Sequence, residues 1–249
     1  MIDYTKMNSN TIVRWVDEGW EWGQPISHEI YEKALKGDWG VYLTPTKFMP
    51  KEWFPASLKE LKILGLASGG GQQMPIFKAL GADVTVLDYS LRQLESEKMV
   101  SEREGYSINI VHYDMTKPLP FENEEFDIIF HPVSNVYVDE VKPIFNECYR
   151  ILKKGGILVC GLDNGINFIT NDEEKIENKF PFNPLKNKEQ LDSLLENDDG
   201  IQFSHTLEEQ IGGQLEAGFI LTNLYEDTNG IGRLHELNIP SFFATRAIK

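Results

Sequence analysis

Residues 63–71, with the sequence Ile-Leu-Gly-Leu-Ala-Ser-Gly-Gly-Gly, carry the fold prediction. They begin as a compact apolar run, which is typical of a buried strand, and end in glycines that break it. An amphipathic helix is predicted over 72–80, with Met74, Phe77 and Leu80 on one face. A glycine turn between a strand and a helix lets a ligand approach the backbone closely. By itself the turn fits a dinucleotide site, another nucleoside-cofactor site, or a tight turn without a ligand.

Short apolar runs alternate with amphipathic stretches from this segment to residue 161. They predict strands at 61–67, 83–88, 107–113, 126–130 and 157–161, helices at 72–80, from Ser90 onward and around 138–152, and a turn at 153–156. Strands that alternate with helices indicate parallel βαβ units in a doubly wound sheet. Thr206 and Glu209 form a predicted capping box for a further helix, and two more strands are predicted at 219–225 and 241–247.

The whole chain, residues 1–249, is predicted to form a single domain. Its middle contains a polar, proline-containing stretch with acidic runs, for which we expect a surface excursion with one short helix near 188–195. The expected parts are an aromatic-rich N-terminal lid or extension (1–60), a cofactor-binding core (61–161), the surface excursion (162–203), and a C-terminal helix and strand pair (204–249).

Charge and composition limit the classes of partner. The chain carries 39 acidic and 24 basic side chains, a net charge of −15, and 15 of the acidic against 7 of the basic ones lie in residues 171–249. No segment is basic, which argues against a nucleic-acid or membrane partner, because phosphate binding needs clustered Lys and Arg. We attribute most of the excess charge to solvated surface.

Two features of the chain predict a cytoplasmic protein without a metal site. Cys148 and Cys160 lie in apolar periodic segments, which favours a reducing compartment and argues against a disulfide or metal site. The N-terminus lacks a signal-peptide pattern, and no apolar stretch approaches the ~20 residues that a membrane helix needs.

Candidate ligand-binding residues follow three of the predicted strands, at the edge where open α/β sheets bind ligands. Asp88 ends the second strand, and its carboxylate can accept two hydrogen bonds from a ribose diol. Asp114 and Met115 follow the third strand, where the carboxylate can accept from an adenine amino group and the apolar neighbour can cover the ring. His131 follows the fourth strand. Helix capping by Asp88 and a structural role for Asp114 stay open.

The order of these motifs resembles that of the class I S-adenosylmethionine-dependent methyltransferases, especially the type 11 methyltransferase domain. The resembling segments are ILGLASGGG (63–71), VTVLDYS (84–90), HYDM (112–115), FENEEFDIIF (121–130) and YRILKKGGILVCG (149–161). The resemblance implies an α/β, Rossmann-like, doubly wound seven-stranded sheet, mostly parallel with an antiparallel C-terminal strand, plus an N-terminal helical extension. It also implies S-adenosyl-L-methionine as cofactor and S-adenosyl-L-homocysteine as product.

The resemblance assigns a role to each part of the site. The glycine loop lies beside the methionine part of the cofactor, Asp88 binds the ribose, Tyr89 stacks on adenine, and Asp114 and Met115 hold the adenine edge. His131 faces the amino-acid part and the reacting methyl group. The cofactor-binding residues expected in this way are Ala67, Ser68, Gly69, Gly70, Gly71, Gln72, Asp88, Tyr89, Asp114, Met115 and His131.

Two positions depart from the family pattern. The family usually has an acidic residue where this chain has Gly65, and a glycine where it has Ala67. The acid often helps to hold the ammonium end of the cofactor, so we expect Gln72, Gln73 or an N-terminal residue to supply that contact. The methyl group of Ala67 is expected to be tolerated if its backbone φ is negative.

The resemblance implies in-line displacement of a methyl group onto an acceptor nucleophile. Orientation alone can contribute roughly 7–11 kcal/mol to such a reaction. A general base is needed only if the nucleophile arrives protonated, and His131 is the candidate, with a structural role as the alternative. The negative charge, together with the lack of an Asn-Pro-Pro-Tyr motif after the fourth strand, favours a small-molecule acceptor.

All the tryptophans lie in the first 53 residues, the segment expected to cover the site. We expect at least one of four tryptophans to line the acceptor pocket, because aromatic faces attract cationic groups. Hydrophobic packing against the sheet is the alternative. The candidate substrate-binding residues are Trp15, Trp20, Trp22, His28 and Trp39.

Two other functions stay open at this point. A non-catalytic adenosylmethionine-binding regulator is compatible with Gly65 and with the absence of an obvious base. An NAD-dependent oxidoreductase is the enzymatic alternative, although it would favour a fuller G-x-G-x-x-G loop than this chain has.

Overall fold

A seven-stranded mixed sheet is the centre of the computed structural model, which describes residues 2–171, 173–197 and 199–249. The strands are β1 (Lys62–Leu66), β2 (Asp83–Asp88), β3 (Asn109–His112), β4 (Phe126–His131), β5 (Leu152–Asp163), β6 (Thr170–Asn171), β7 (Lys175–Ile176), β8 (Ile220–Asp227) and β9 (Phe242–Ile248). The large sheet has the order β3-β2-β1-β4-β5-β9-β8, and β6 pairs with β7 in a small hairpin. The strands β1 to β5 are parallel, whereas β9 is antiparallel to both β5 and β8. The predicted fold class is confirmed.

Helices connect the strands and extend from the N-terminus. They are α1 (Tyr4–Asp17), α2 (His28–Leu35), α3 (Gln73–Ala79), α4 (Leu91–Glu104), α5 (Lys142–Ile151), α6 (Ile166–Ile169), α7 (Lys188–Asn197), α8 (Gly213–Glu216) and α9 (Gly232–Glu236). A π-helical turn, Glu208–Gly212, leads into α8, and short 3₁₀ turns occur at Glu21–Gly23, Lys51–Trp53, Asn135–Tyr137 and Pro184–Lys186. In the part of the chain that is described, no helix is long and apolar enough to cross a membrane.

Both faces of the central parallel strands β1 and β4 are buried, and successive residues alternate between them. On β1, Ile63 packs into a cluster with Phe77 of α3, whereas Leu64 packs into a second cluster with Phe145 of α5. Burial on both faces is typical of parallel sheets covered by helices. Cys148 and Cys160 both lie in the second cluster as free thiols.

Local sequence signals set several element boundaries. The Ser90 hydroxyl accepts a hydrogen bond from the backbone N–H of Gln93 at the start of α4. The predicted capping box forms, because Thr206 N–H donates to the Glu209 carboxylate at 2.8 Å and Glu209 N–H donates to the Thr206 hydroxyl at 3.1 Å. The helix predicted around 138–152 begins only at Lys142, after a 3₁₀ turn.

Two predicted segments differ from the structure. The turn expected at 153–156 lies inside β5, because Leu152 already pairs with Phe126 and a bulge absorbs the extra residues. The surface excursion expected at 162–203 carries the predicted short helix as α7, but its end is buried with Ile201 and Phe203 under α1.

The anchor of this buried segment is the side chain of Asn8. Its Nδ2 donates to the carbonyl of Ile201 at 2.8 Å, and its Oδ1 accepts from the N–H of the same residue at 2.6 Å. Tyr4 adds an edge contact to Phe203, with ring centroids 5.2 Å apart. A segment distant in sequence therefore completes the packing of α1, which local periodicity does not reveal.

The loop at residues 41–45 lies against β5 because Gly161 has no side chain. A Cβ at position 161 would overlap the carbonyl oxygen of Leu43, which is itself buried. This close approach of two backbones fixes the loop on the carboxyl half of β5.

Gly161→Ala is expected to lower the free energy of unfolding by roughly 1–3 kcal/mol, because the added methyl must displace backbone atoms. Differential scanning calorimetry measures the effect as a lower midpoint temperature. Gly212→Ala is the control, since position 212 has φ −58° and the nearest atom to its Cβ is 3.8 Å away. The control should keep or raise the midpoint. Equal midpoints for the two variants would contradict the packing argument.

Candidate active site

A cavity of about 580 Å³ opens at the carboxyl ends of the parallel strands and is covered by α1. Ligand pockets typically measure about 300–1,000 Å³ and lie at this edge of open α/β sheets. Of the predicted cofactor-binding residues, those that line the cavity are Ala67, Ser68, Gly69, Gln72, Asp88, Tyr89, Asp114 and Met115.

The glycine loop between β1 and α3 is held by backbone hydrogen bonds. Ala67 N–H donates to the Leu87 carbonyl at 2.8 Å, and Gly70 N–H donates to the Gln93 carbonyl at 3.0 Å. The φ angle of Ala67 is +48°, so the negative φ assumed for it is wrong. A left-handed conformation costs a residue with a Cβ roughly 1–2 kcal/mol. The surrounding hydrogen bonds therefore hold this loop in a strained shape.

Gly65 packs closely against the side chain of Met74. A Cβ at this position would collide with the side chain of Met74, which is fully buried in the first turn of α3. Gln73 lines the cavity beside Ser68, whose hydroxyl lies 3.3 Å from its Oε1. Gln72 instead donates to the carbonyls of Glu21 and Gln24. Gln73 is therefore the better placed of the two glutamines for the contact expected in place of the acid.

Asp88 at the end of β2 connects the loop to the neighbouring strand. Its Oδ2 accepts from Gly69 N–H at 3.0 Å and its Oδ1 from Ser90 N–H at 2.8 Å. Burial raises the pKa of Asp88, against these backbone hydrogen bonds. The carboxylate faces the cavity.

Behind the loop lies a second buried carboxyl group, that of Glu97 on α4. Its Oε1 accepts from Gly71 N–H at 2.8 Å, whereas its Oε2 and the Oε1 of Gln93 are buried without a hydrogen-bond partner. Burial, together with the nearby charge of Asp88, raises the pKa of Glu97 to about 8, against the hydrogen bond from Gly71 N–H. Gly70 and Gly71 thus contact α4 and are not part of the cavity wall.

The end of β3 supplies another polar group. Asp114 Oδ1 accepts from both the N–H and the hydroxyl of Thr116, at 2.9 and 2.7 Å. Met115 is buried next to it. The Tyr89 ring stacks on the His112 ring, with centroids 5.5 Å apart and an interplanar angle of 14°.

His131 lies under the cavity and does not line it. Its Nδ1 is 2.9 Å from the Leu66 carbonyl oxygen, and its Nε2 is 2.8 Å from the Asn135 Oδ1. Burial lowers the pKa of His131, and both ring nitrogens are used inside the protein. This geometry favours the structural role over the general-base role.

The N-terminal segment places some of its predicted residues at the cavity. Trp15, Trp20 and Trp22 line it, and the rings of the first two lie 5.5 Å apart. Trp39 instead packs edge-on against a phenylalanine of the core. His28 is exposed on α2 and contacts Glu104. The structure therefore keeps Trp39 and His28 out of the cavity wall.

Sequence reasoning missed Asp163, which lies at the carboxyl end of β5 and lines the cavity. Its side chain accepts from Gly165 N–H and, at 3.0 Å, from Asn167 Nδ2. Burial raises its pKa to about 7. The signal available was the position at the end of the fifth strand, the same edge as Asp88.

The fold and this cavity define the class of the protein. A family model for the methyltransferase domain matches residues 64–160. The chain is 42% identical over 250 residues to the uncharacterized methyltransferase YbaJ of Bacillus subtilis, an alignment that spans 97% of each protein. The chain belongs to the methyltransferase family.

More distant relatives agree with this class. The ubiquinone biosynthesis O-methyltransferase of Roseobacter denitrificans is 30% identical over 110 residues, 44% of each chain. The crystal structure of an S-adenosylmethionine-dependent methyltransferase from Mesorhizobium loti has the same fold, with a TM-score of 0.64, at 18% identity over 80% of this chain and 95% of that one.

Glu97→Gln is expected to stabilise the protein most at high pH. The folded protein keeps the Glu97 proton up to about pH 8, whereas the unfolded chain loses it near 4.5. Because the folded state binds the extra proton between these values, stability falls as pH rises through this window. The gain in free energy of unfolding should grow from near zero at pH 4.5 to on the order of 4 kcal/mol at pH 8.

Urea denaturation across this pH range measures the gain. Glu95→Gln, on the exposed side of the same helix, is the control for loss of one charge. A gain of equal size in both variants would show that general charge repulsion, and not burial of Glu97, is responsible.

Proposed function

We propose that the cavity binds S-adenosylmethionine and catalyses in-line methyl transfer to a small-molecule acceptor. The observation that carries this proposal is the meeting of the glycine loop, Asp88 and Asp114 around one cavity under α1. When bound, S-adenosylmethionine supplies an activated methyl group on a sulfonium.

The residues present fit the nucleoside part of this cofactor. Asp88 uses one acceptor position on each oxygen for backbone N–H groups, and each carboxylate oxygen has a second position for a ribose hydroxyl. Both hydrogen bonds of Asp114 go to Oδ1, which keeps Oδ2 for the adenine amino group. Met115 and Tyr89, the latter supported by His112, bound the adenine ring.

The methionine part is assigned to the beginning of α3. Ser68 and Gln73 offer a hydroxyl and an amide at the cavity wall, and Gly69 lets the ligand approach the backbone closely. Gln73 takes the place of the acid that the family usually has at the position of Gly65.

The residues of the chain act on the reaction mainly by positioning. Helix α1 and the ring pair of Trp15 and Trp20 cover the cavity and exclude water from it. A fixed orientation of donor and acceptor removes a large part of the barrier to a displacement reaction. His131 supports the floor through Leu66 and takes no proton from the acceptor.

Two features of the cavity support a small acceptor. The volume of about 580 Å³ must hold both donor and acceptor, which leaves room only for a compact molecule. Its wall contains no Lys, Arg or His within the described ranges 2–171, 173–197 and 199–249. A nucleic-acid acceptor would need such side chains for its phosphates.

The sheet order separates this proposal from the NAD alternative. Classic dinucleotide-binding sheets have the parallel order 3-2-1-4-5-6. Here β9 is inserted antiparallel between β5 and β8.

Isothermal titration calorimetry is expected to show binding of S-adenosylhomocysteine and none of NAD. A methyl-donor assay over a panel of small acceptors is expected to show turnover. Binding of NAD alone, or binding of S-adenosylhomocysteine without turnover of any acceptor, would contradict the proposal.

Asp88→Ala is expected to weaken S-adenosylhomocysteine binding at least about tenfold, roughly 1.4 kcal/mol, because two hydrogen bonds to the ribose are lost. The matched control is Asp83→Ala, since Asp83 is exposed at the opposite end of the same strand. Thermal midpoints of both variants report whether the loop still folds. An unchanged affinity in folded Asp88→Ala would remove the ribose role.

A further inference from the structure

In the described part of the chain, the charged side chains of the cavity wall are all negative. Among the residues that the structure describes, the wall contains three carboxylates and no cationic side chain. Asp88 and Asp114 follow β2 and β3 at one end of the cavity. Asp163 follows β5, three strand spacings from β2, which corresponds to roughly 14 Å across the sheet. Asp163 is therefore separated from the end of the cavity that the proposed function gives to the ribose and the adenine.

The environment of Asp163 differs from that of a carboxylate used only for structure. Asp227 is equally buried, but it accepts hydrogen bonds from two groups of Thr46 and from the N–H groups of Lys47 and Thr228, and its pKa is lowered. Asp163 accepts from only two neutral donors, and burial raises its pKa. A buried carboxylate with acceptor positions to spare is costly unless a cation or further donors reach it.

The groups around Asp163 favour a cation over other ligands. Phe242 is directly opposite Asp163 in the β5–β9 pair, so their side chains lie on the same face of the sheet. Phe168 of α6 also lines the cavity, and its neighbour Asn167 is held by a reciprocal amide pair with Asn229 at 3.0 and 3.2 Å. Aromatic faces beside a carboxylate attract an ammonium group. An anionic acceptor would meet only negative charge.

We propose that the acceptor is an amine, whose ammonium form binds to the Asp163 carboxylate and gives its proton to it. The proposal rests on the proposed function and names its substrate class. The ammonium proton passes to a carboxylate oxygen of Asp163, which frees the nitrogen lone pair. That lone pair forms the new N–C bond as the C–S bond of the donor breaks, so the sulfonium becomes a neutral thioether. The methylated ammonium leaves, and Asp163 releases its proton to solvent.

Asp163→Asn separates this role from a structural one. Asn keeps an oxygen that can accept from Gly165 N–H but loses the acceptor for Asn167 Nδ2. It also removes a buried charge, and the thermal midpoint of the variant reports whether the turn after β5 is retained. The control is Asp83→Asn, the same change at an exposed position on the amino edge of the sheet.

The test uses matched probes on one scaffold, namely 2-phenylethylamine, 2-phenylethanol and 3-phenylpropanoate, extended to a panel of such amine, alcohol and carboxylate sets. Calorimetry with saturating S-adenosylhomocysteine measures binding, and a methyl-donor assay measures transfer. We expect binding and transfer for amine members only. Asp163→Asn should weaken amine binding at least about tenfold and change the S-adenosylhomocysteine affinity less than about twofold.

Three results would overturn the inference. These are transfer to alcohols or carboxylates in preference to their matched amines, transfer to some acceptor but to no amine, and unchanged amine affinity in Asp163→Asn. A wild-type protein that does not bind S-adenosylhomocysteine, or that binds it without transfer to any acceptor, would instead contradict the proposed function, so the two failures are distinguishable.

Discussion

The turn at residues 67–71 is the constraint on which the site depends. Its N–H groups are fixed one by one, at Gly69 by Asp88, at Gly70 by the backbone of α4 and at Gly71 by Glu97. A Cβ at Gly69 would collide with α4, and the loop holds Ala67 at positive φ. The hydrogen bonds offset that strain, and in return the loop aligns β1, β2 and α4 around one cavity.

Not all of the acidic side chains behind the net charge of −15 lie on solvated surface. Asp88 and Asp163 line the cavity and Glu97 lies directly behind it, and burial raises the pKa of each. Such groups lower folding stability at neutral pH, and perturbed carboxyl groups of this kind cluster at functional sites. Part of the excess negative charge therefore lies inside the protein, where it lowers the free energy of unfolding at neutral pH. Within the described chain no cation of the cavity wall compensates it, and the proposal of a cationic donor and acceptor rests on this.

The sequence predicted the parts of the fold that are set by local signals. Strand β2 and the caps at Ser90 and Thr206 follow from residues within one or two turns. The position of Asp88 at the cavity also follows, because Asp88 ends a strand and the carboxyl ends of parallel strands share one edge of the sheet. The hydrogen-bond partners of His131 and the burial of Asp163 could not be predicted in this way. They depend on the carbonyl of Leu66, on burial by distant segments, and on the loop seated against β5, which are tertiary contacts between residues far apart in the chain.

Hydrogen bonds join the glycine loop to the N-terminal cover, which is the segment 2–26 above the cavity. They determine which side chains of the cover can change. Gln72 donates to two backbone carbonyls of the segment 21–24, and Ile26 N–H donates to the carbonyl of Gly71. These contacts use the backbone of the cover, so they do not specify its side chains. The tryptophans at the cavity wall can thus be exchanged while the same hydrogen bonds keep the cover in place. The shape of the cavity wall can therefore change within the cover without loss of the glycine loop.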